Sequence, residues 1–262
     1  MSAYLAYFKI AFKHNTIYRV EWLLGILNNC IQIFISIAIW RALYGDSFEI
    51  NGVGFTAVAT NFIISQGLSH VLTTSDLTIQ KKLRDGSIAN ELLKPIDYRK
   101  ILLADNLGNI MFKLVSNFLP SLIITSLIAG ILPPAGVAAA VLYIVSMIFG
   151  FAILWSISMI VQMTAFWIMN VWSISTIKGV IIKVLSGATL PLWFMPKAVL
   201  NIIKWTPFEA IYHIPLKIYL GELGINAVGG ELLKQIFWIV ILYSISCFMW
   251  EKGKKKIVLQ GG

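Results

Sequence analysis

The sequence predicts an all-α integral membrane protein with six transmembrane helices, and three observations support this: composition, the spacing of charges and the distribution of basic residues. Of 262 residues, 58% are hydrophobic and 13% are charged, whereas soluble domains carry about 25% charged residues. Uncharged runs cover residues 22–40, 50–75, 114–177 and 235–250. Because about 20 apolar residues cross the hydrocarbon of a bilayer, these runs predict several spans.

The N-terminal segment, 1–19, is predicted as an interfacial elbow helix. At helical spacing, Phe8 and Phe12 lie on one face, and Lys9 and Lys13 lie on the other. This pattern is typical of a helix that lies in the membrane interface with its apolar face toward the lipid. A frayed polar tail is the alternative.

Six hydrophobic segments are predicted as spans of a single transmembrane domain, 1–262. Trp22 and Trp40 lie near the two ends of the first span, at depths that aromatic side chains favour. A turn rich in glycine and proline, 130–136, divides the longest uncharged run. The predicted spans are 20–43, 54–75, 106–132, 137–162, 166–187 and 232–250.

The fifth span, 166–187, contains Lys178 and Lys183, each of which costs roughly 2.5–3.5 kcal/mol at a helix centre. We retain it because six spans place both termini and the basic segment 76–105 in the cytosol, as the positive-inside rule requires. The expected location is therefore the cytoplasmic membrane, crossed several times. The segment 188–230 contains four prolines and only short apolar stretches, which predicts re-entrant helices on the outer side.

Motifs of common enzyme chemistry are missing from the sequence. It contains no phosphate-binding loop, zinc-protease motif or serine-hydrolase motif, so we expect no catalytic residue, no metal site and no bound cofactor. Cys30 and Cys247 lie in apolar runs and are interpreted as packing residues. The histidines, His14, His70 and His213, are scattered. The net charge of +9 is explained by basic cytosolic loops and does not require nucleic acid as a partner.

The basic segment 76–105 has start and stop signals for a short helix. Gly86 can end one helix, Ser87 can cap the next, and Pro95 can end that one. An apolar stripe between these signals predicts an amphipathic helix that projects into the cytosol, although a solvated basic loop would explain the charges equally well. The stripe consists of Ile88, Leu92 and Leu93.

Short motifs follow one another in order along the whole chain, each weak alone but specific together. They are Tyr18-Arg19, Trp40-Arg41-Ala42-Leu43-Tyr44, Arg84-Asp85-Gly86-Ser87, Leu92-Leu93-Lys94-Pro95, Phe166-Trp167, Ser186-Gly187, Pro191-Leu192, Pro207-Phe208 and Gln260-Gly261-Gly262. With these motifs the chain resembles the type 2 export permeases of the ABC superfamily, in the branch associated with multidrug or antibiotic export.

The resemblance implies that the chain forms half of a dimeric translocation pathway, paired with an identical or a related permease chain. Two copies of a separate ABC ATPase subunit would bind ATP and Mg²⁺ and supply the energy. The elbow helix would contact the ATPase through Lys9, Lys13 and Arg19, and 188–230 would close the exit. The coupling helix that docks into the ATPase would comprise Arg84, Asp85, Gly86, Ser87, Ile88, Leu92, Leu93, Lys94 and Pro95.

The two lysines of the fifth span allow two interpretations. Spaced five residues apart, Lys178 and Lys183 point about 140° from each other on a helix. At least one could face the pathway and attract an anionic substrate, or both could extend toward opposite membrane interfaces.

Two other classes of function stay open alongside the ABC permease. An ATP-independent secondary transporter or channel would need carboxylates at mid-membrane, which the predicted spans lack. A non-transporting membrane assembly factor is the other alternative.

Overall fold

The computed structural model describes residues 3–17, 19–168 and 170–260. Most of these residues lie in helices, and the strands found among them, β1 (Glu49–Ile50) and β2 (Val53–Gly54), form one short hairpin. In chain order the α-helices are α1 (Ala3–Ile17), α2 (Arg19–Tyr44), α3 (Phe55–Asn61), α4 (Gly67–Val71), α5 (Thr78–Arg84), α6 (Ile88–Leu92), α7 (Tyr98–Lys113), α8 (Leu119–Ala129), α9 (Val137–Met163), α10 (Trp172–Leu185), α11 (Lys197–Ile203), α12 (Glu209–Leu220) and α13 (Ile225–Gln260).

Within the described ranges, four helical segments are long and apolar enough to cross a membrane. The fold is therefore that of an all-α membrane protein, as the sequence predicts, while the count of six crossings stays a prediction. The four segments are Val20–Tyr44, Tyr98–Ala129, Val137–Phe166 and Asn226–Lys256.

The predicted third span, 106–132, begins too late. The helix starts at Tyr98 because Asp97 caps it, with its carboxylate accepting a hydrogen bond from the backbone N–H of Arg99. The last part of the basic segment is therefore helix and not loop. From α7 the helix continues through a π-helical turn, Leu114–Phe118, into α8.

The predicted sixth span, 232–250, is only the middle of α13. That helix has 36 residues, about 54 Å at about 1.5 Å per residue. It continues through Gly253, and the ring of Phe166 packs so closely against that glycine that any larger residue would collide with it. The basic residues that follow the predicted span are thus helical as far as Gln260.

The predicted second span, 54–75, forms α3, a π-helical turn at Phe62–Gln66 and α4, joined without a break. These segments have seven, five and five residues, so together they are about 25 Å long at about 1.5 Å per residue. Most of their residues, including all of 58–68, are buried by the neighbouring helices. The span is thus central in the bundle, and it ends at Val71, earlier than predicted.

The predicted fifth span, 166–187, is shorter than expected. Its helix, α10, begins only at Trp172, whose backbone N–H is bound by the side chain of Asn170. With 14 residues it is about 21 Å long, which is less than the roughly 30 Å of a hydrocarbon core. At its far end, the side-chain amide of Asn61 donates to the carbonyl of Gly187, at 3.2 Å.

The segment 188–230 contains α11 and α12. Most side chains of α12 are buried, and this helix packs antiparallel against α9. The contact is close because Gly150 of α9 faces the carbonyl of Ile211. That carbonyl lacks its usual intrahelical partner, since Pro215 has no N–H. That this segment is re-entrant on the outer side stays a prediction.

The long helices run between two ends of the molecule. We call the end that carries α5 and α6 the basal end, and the end that carries the β-hairpin and the turn 130–136 the distal end. α1 packs lengthwise against α7, from Tyr4 beside Asp97 to Asn15 beside Asn109. α1 therefore stabilises the first part of α7, which begins at the basal end.

Candidate functional site

The two short basal helices, α5 and α6, meet at Gly86. Its φ of +74° lies in the left-handed region that favours glycine. The carboxylate of Asp85 accepts hydrogen bonds from the hydroxyl and the backbone N–H of Ser87, at 2.6 and 2.9 Å. These bonds lower the pKa of Asp85. Ser87 precedes α6 as predicted, but its hydroxyl binds Asp85 and does not cap the helix.

The predicted apolar stripe of α6 is divided between two faces. Ile88 is buried, with 3% of its surface exposed, whereas Leu93 is 83% exposed. Leu92 packs against the same basal core as Ile88. The structure thus anchors the short helix through two leucine-sized side chains and leaves a third facing outward. The other exposed residues of this surface include Arg84, Asp85, Gly86, Ala89, Asn90, Lys94 and Pro95.

Glu91 holds the basal helices together. Its carboxylate lies 2.6 Å from Nζ of Lys82 on α5 and 2.8 Å from Nζ of Lys94. Burial alone would raise the pKa of Glu91, but the hydrogen bonds from both lysines outweigh it and lower the pKa. Lys94 also donates to the hydroxyl of Tyr7, at 3.3 Å, which ties α6 to α1.

A buried apolar cluster, the basal core, connects α5 and α6 to the ends of the long helices. Tyr98 stacks on Trp250 of α13, and Phe166 packs against the same tryptophan. In addition, the side-chain carbonyl of Gln80 on α5 accepts from the backbone N–H of Val171, which precedes α10. The short helices are therefore in direct contact with the ends of the long ones. The buried members of the cluster are Ile79, Ile88, Tyr98, Ile101, Leu102, Trp155, Met159, Met163, Phe166 and Trp250.

Lys178 of the fifth segment forms a buried ion pair with Asp76, which precedes α5. Nζ of Lys178 lies 2.6 and 2.8 Å from the two carboxylate oxygens, and the side chains are only 12% and 4% exposed. Lys178 also donates to the hydroxyl of Ser158, at 2.7 Å. The hydroxyls of Ser175 and Thr74 donate to the carboxylate. The pair thus joins α9, α10 and the entry to the basal helices.

Sequence reasoning missed this pair, because Asp76 was assigned to a solvated cytosolic segment. The available signal was the position of Asp76, which directly follows the uncharged run 50–75. Lys183, in contrast, is exposed. Both lysines border one cavity of about 200 Å³, together with Ser69 and Tyr212. Neither interpretation drawn from the sequence included a carboxylate partner for Lys178.

The predicted elbow contacts lie on or beside α1. Lys9 and Lys13 are exposed on that helix, and Arg19 is the first residue of α2. Phe12 packs edge-on against Phe112. Of the motifs used for the resemblance, Tyr18 and the terminal pair Gly261-Gly262 lie outside the described residues.

In residues 3–17, 19–168 and 170–260, no group of three or more histidine, cysteine, aspartate or glutamate side chains could hold a metal ion. Comparison with known proteins identified one family. The family described as ABC-2 family transporter protein matches residues 30–261, which is most of the chain. A search of curated proteins found no match.

Proposed function

We propose that this chain, which belongs to the ABC-2 family of transporter proteins, is the permease subunit of an ATP-driven exporter in the cytoplasmic membrane. It is a multi-pass membrane protein and a transport component of its family. In the proposal, two permease chains form the translocation pathway, and both termini face the cytosol. Two copies of a separate ABC ATPase bind ATP and Mg²⁺ and drive the change of access.

The basal end is the proposed docking site for the ATPase. The observation that carries this assignment is the outward-facing Leu93 on a short helix whose opposite side, through Ile88, is fixed to the basal core. An exposed leucine gains about 1.5–3 kcal/mol when a partner buries it. The charges around it provide complementary polar contacts at the rim of such an interface.

Movement of the docked helix would reach the spans by two routes. Gln80 binds the backbone directly before α10, and Trp250 of α13 packs in the basal core. Rigid-body motion requires that packed elements transmit displacement without deforming, and a buried aromatic cluster meets that requirement. Lys9, Lys13 and Arg19 are proposed to extend the ATPase contact along the first two helices.

The test is co-purification from native membranes. An affinity-tagged chain is extracted in mild detergent, its partners are identified, and ATP hydrolysis of the eluate is measured. We expect an ABC ATPase to co-purify with the unchanged chain. Leu93→Asp should reduce both its recovery and the ATP hydrolysis at least about tenfold, because a buried charge adds to the lost apolar contact.

The matched control is Phe48→Asp, which places the same charge on a residue that is 93% exposed at the distal end. It should leave recovery of the ATPase unchanged. Equal recovery with Leu93→Asp and Phe48→Asp would contradict the docking assignment. If the unchanged chain brings down no ABC ATPase, the subunit proposal itself is wrong.

A further inference from the structure

A charged cavity of about 260 Å³ lies between α12 and α13, away from the basal end. Three of its residues, Glu209, His213 and Lys217, follow one another at intervals of four on α12. This spacing places them on one face of the helix. The facing wall is formed by Glu231 and Lys234 of α13. Lys204, from the connection between α11 and α12, completes the polar lining.

The positive charges of this cavity exceed the negative ones. Lys234 forms an ion pair with Glu209 and lies 3.8 Å from Glu231. One lysine is thus shared between two carboxylates, and Oε2 of Glu231 has no hydrogen-bond partner in the described part of the chain. Among the residues that the structure describes, Lys204 and Lys217 take part in no salt bridge, so two cationic side chains line the cavity without a direct anionic partner.

His213 adds unused hydrogen-bonding capacity. Its side chain lines the cavity, is 8% exposed and packs edge-on against Trp193. Its Nδ1 is buried and has no hydrogen-bond partner in the described part of the chain. Buried polar atoms in proteins are nearly always satisfied, so the imidazole is a further group that a bound ligand can stabilise.

The position of these lysines also conflicts with the rule that places basic residues on the cytosolic side. Lys204 and Lys217 belong to the segment predicted on the outer side, where nothing in the membrane topology calls for them. A lysine that topology does not require, and that forms no direct ion pair, is suited to binding an anion.

We propose that the cavity between α12 and α13 binds an oxyanion of the phosphate class through Lys204 and Lys217. Its volume corresponds to several water molecules at about 30 Å³ each, which is enough for a phosphate group with part of its hydration shell. The group belongs either to the headgroup of an anionic phospholipid or to a free phosphate ester. The site does not depend on docking of an ATPase.

The experiment measures binding to the full chain purified in an uncharged detergent. Inorganic phosphate and dioleoylphosphatidylglycerol are titrated separately, with dioleoylphosphatidylcholine as the zwitterionic comparison, and the rise in unfolding temperature is followed. The double variant Lys204→Gln/Lys217→Gln should bind about a hundredfold more weakly, since each charge-assisted hydrogen bond accounts for about a tenfold change. Binding of phosphatidylglycerol alone identifies a lipid headgroup, and binding of both probes identifies a site for free anions.

The matched control is Lys197→Gln/Lys255→Gln, which removes the same net charge from two exposed lysines outside the cavity. It should bind both probes as the unchanged chain does. An equal loss in both double variants, equal binding of the two lipids, or no binding by the unchanged chain would overturn the proposal. Because the isolated chain is used, none of these outcomes depends on whether an ATPase binds. This test and the co-purification test can therefore fail independently.

Discussion

Removal of Lys178 tests its buried ion pair with Asp76, whose side chains are less exposed than those of the other described ion pairs. In Lys178→Met, the carboxylate of Asp76 keeps only the hydroxyl donors of Ser175 and Thr74. The carboxylate is 4% exposed, and water from the adjacent cavity replaces the ammonium group only in part. Breaking one side of a buried ion pair costs about 3–5 kcal/mol. We therefore expect Lys178→Met to lower the free energy of unfolding by about that amount.

The double variant Asp76→Asn/Lys178→Met removes the unpaired charge as well. Its loss should be smaller than the sum of the two single losses by about 2–3 kcal/mol, because the two residues are directly coupled. Unfolding is measured in mixed micelles by titration with sodium dodecyl sulfate and followed by far-ultraviolet circular dichroism. The control is Lys183→Met, on the same helix but exposed, for which we expect a change within about 0.5 kcal/mol.

The reasoning fails if Lys178→Met and Lys183→Met are equally stable, since the contact would then contribute nothing. It also fails if the losses in the double variant are additive. Transport assays with the same variants distinguish a role in stability from a role in the substrate pathway. If Lys183→Met is stable but alters export, the cavity that both lysines border is part of the route taken by the substrate.

Two further predictions concern packing and pH. Gly150→Ala places a methyl group 2.5 Å from the carbonyl oxygen of Ile211 and should lower the free energy of unfolding by about 1–3 kcal/mol. Gly179→Ala, a helical glycine with open space around it, should stabilise by about 0.5–1 kcal/mol in the same assay. Glu91→Gln should lower the unfolding temperature at pH 7. Because the folded protein lowers the pKa of Glu91, this difference should be full above about pH 4.3 and disappear as the pH falls further.

Equal losses in the two glycine variants would show that α9 and α12 are not in close contact. A difference between Glu91→Gln and the unchanged chain that persists in acid would mean that the carboxylate is not stabilised by its two lysines. Unfolding temperatures between pH 3 and pH 7, recorded in buffers of constant ionic strength, distinguish these cases.

The sequence predicts the fold class and the long helices well, because both depend on local hydrophobic patterns. The fourth span, predicted as 137–162, is the helix Val137–Met163. The third span was misjudged at its start because its first two turns carry charges. The capping carboxylate of Asp97 was the local signal that fixes the true beginning.

Contacts between distant residues could not be predicted in this way. Asp76 and Lys178 are 102 positions apart, and no periodicity links them. The face on which Leu93 lies was also beyond reach, because the helix has only five residues. In so short a helix, the stripe of apolar residues does not determine which members face the core. That choice depends on Tyr98 and Trp250, which the chain brings beneath the helix from elsewhere.

The two π-helical turns have a mechanical consequence. Phe62–Gln66 and Leu114–Phe118 lie in neighbouring helices, and Gly67 meets Phe118 directly beside them. Asn61, just before the first turn, binds the carbonyl of Gly187 where the fifth segment breaks. The second, third and fifth segments are thus in contact at or near these turns. A regular α-helix is stiff along its length. A π-helical turn carries one extra residue and is a common place for a helix to kink. We therefore expect both helices to change direction where these two turns lie beside each other.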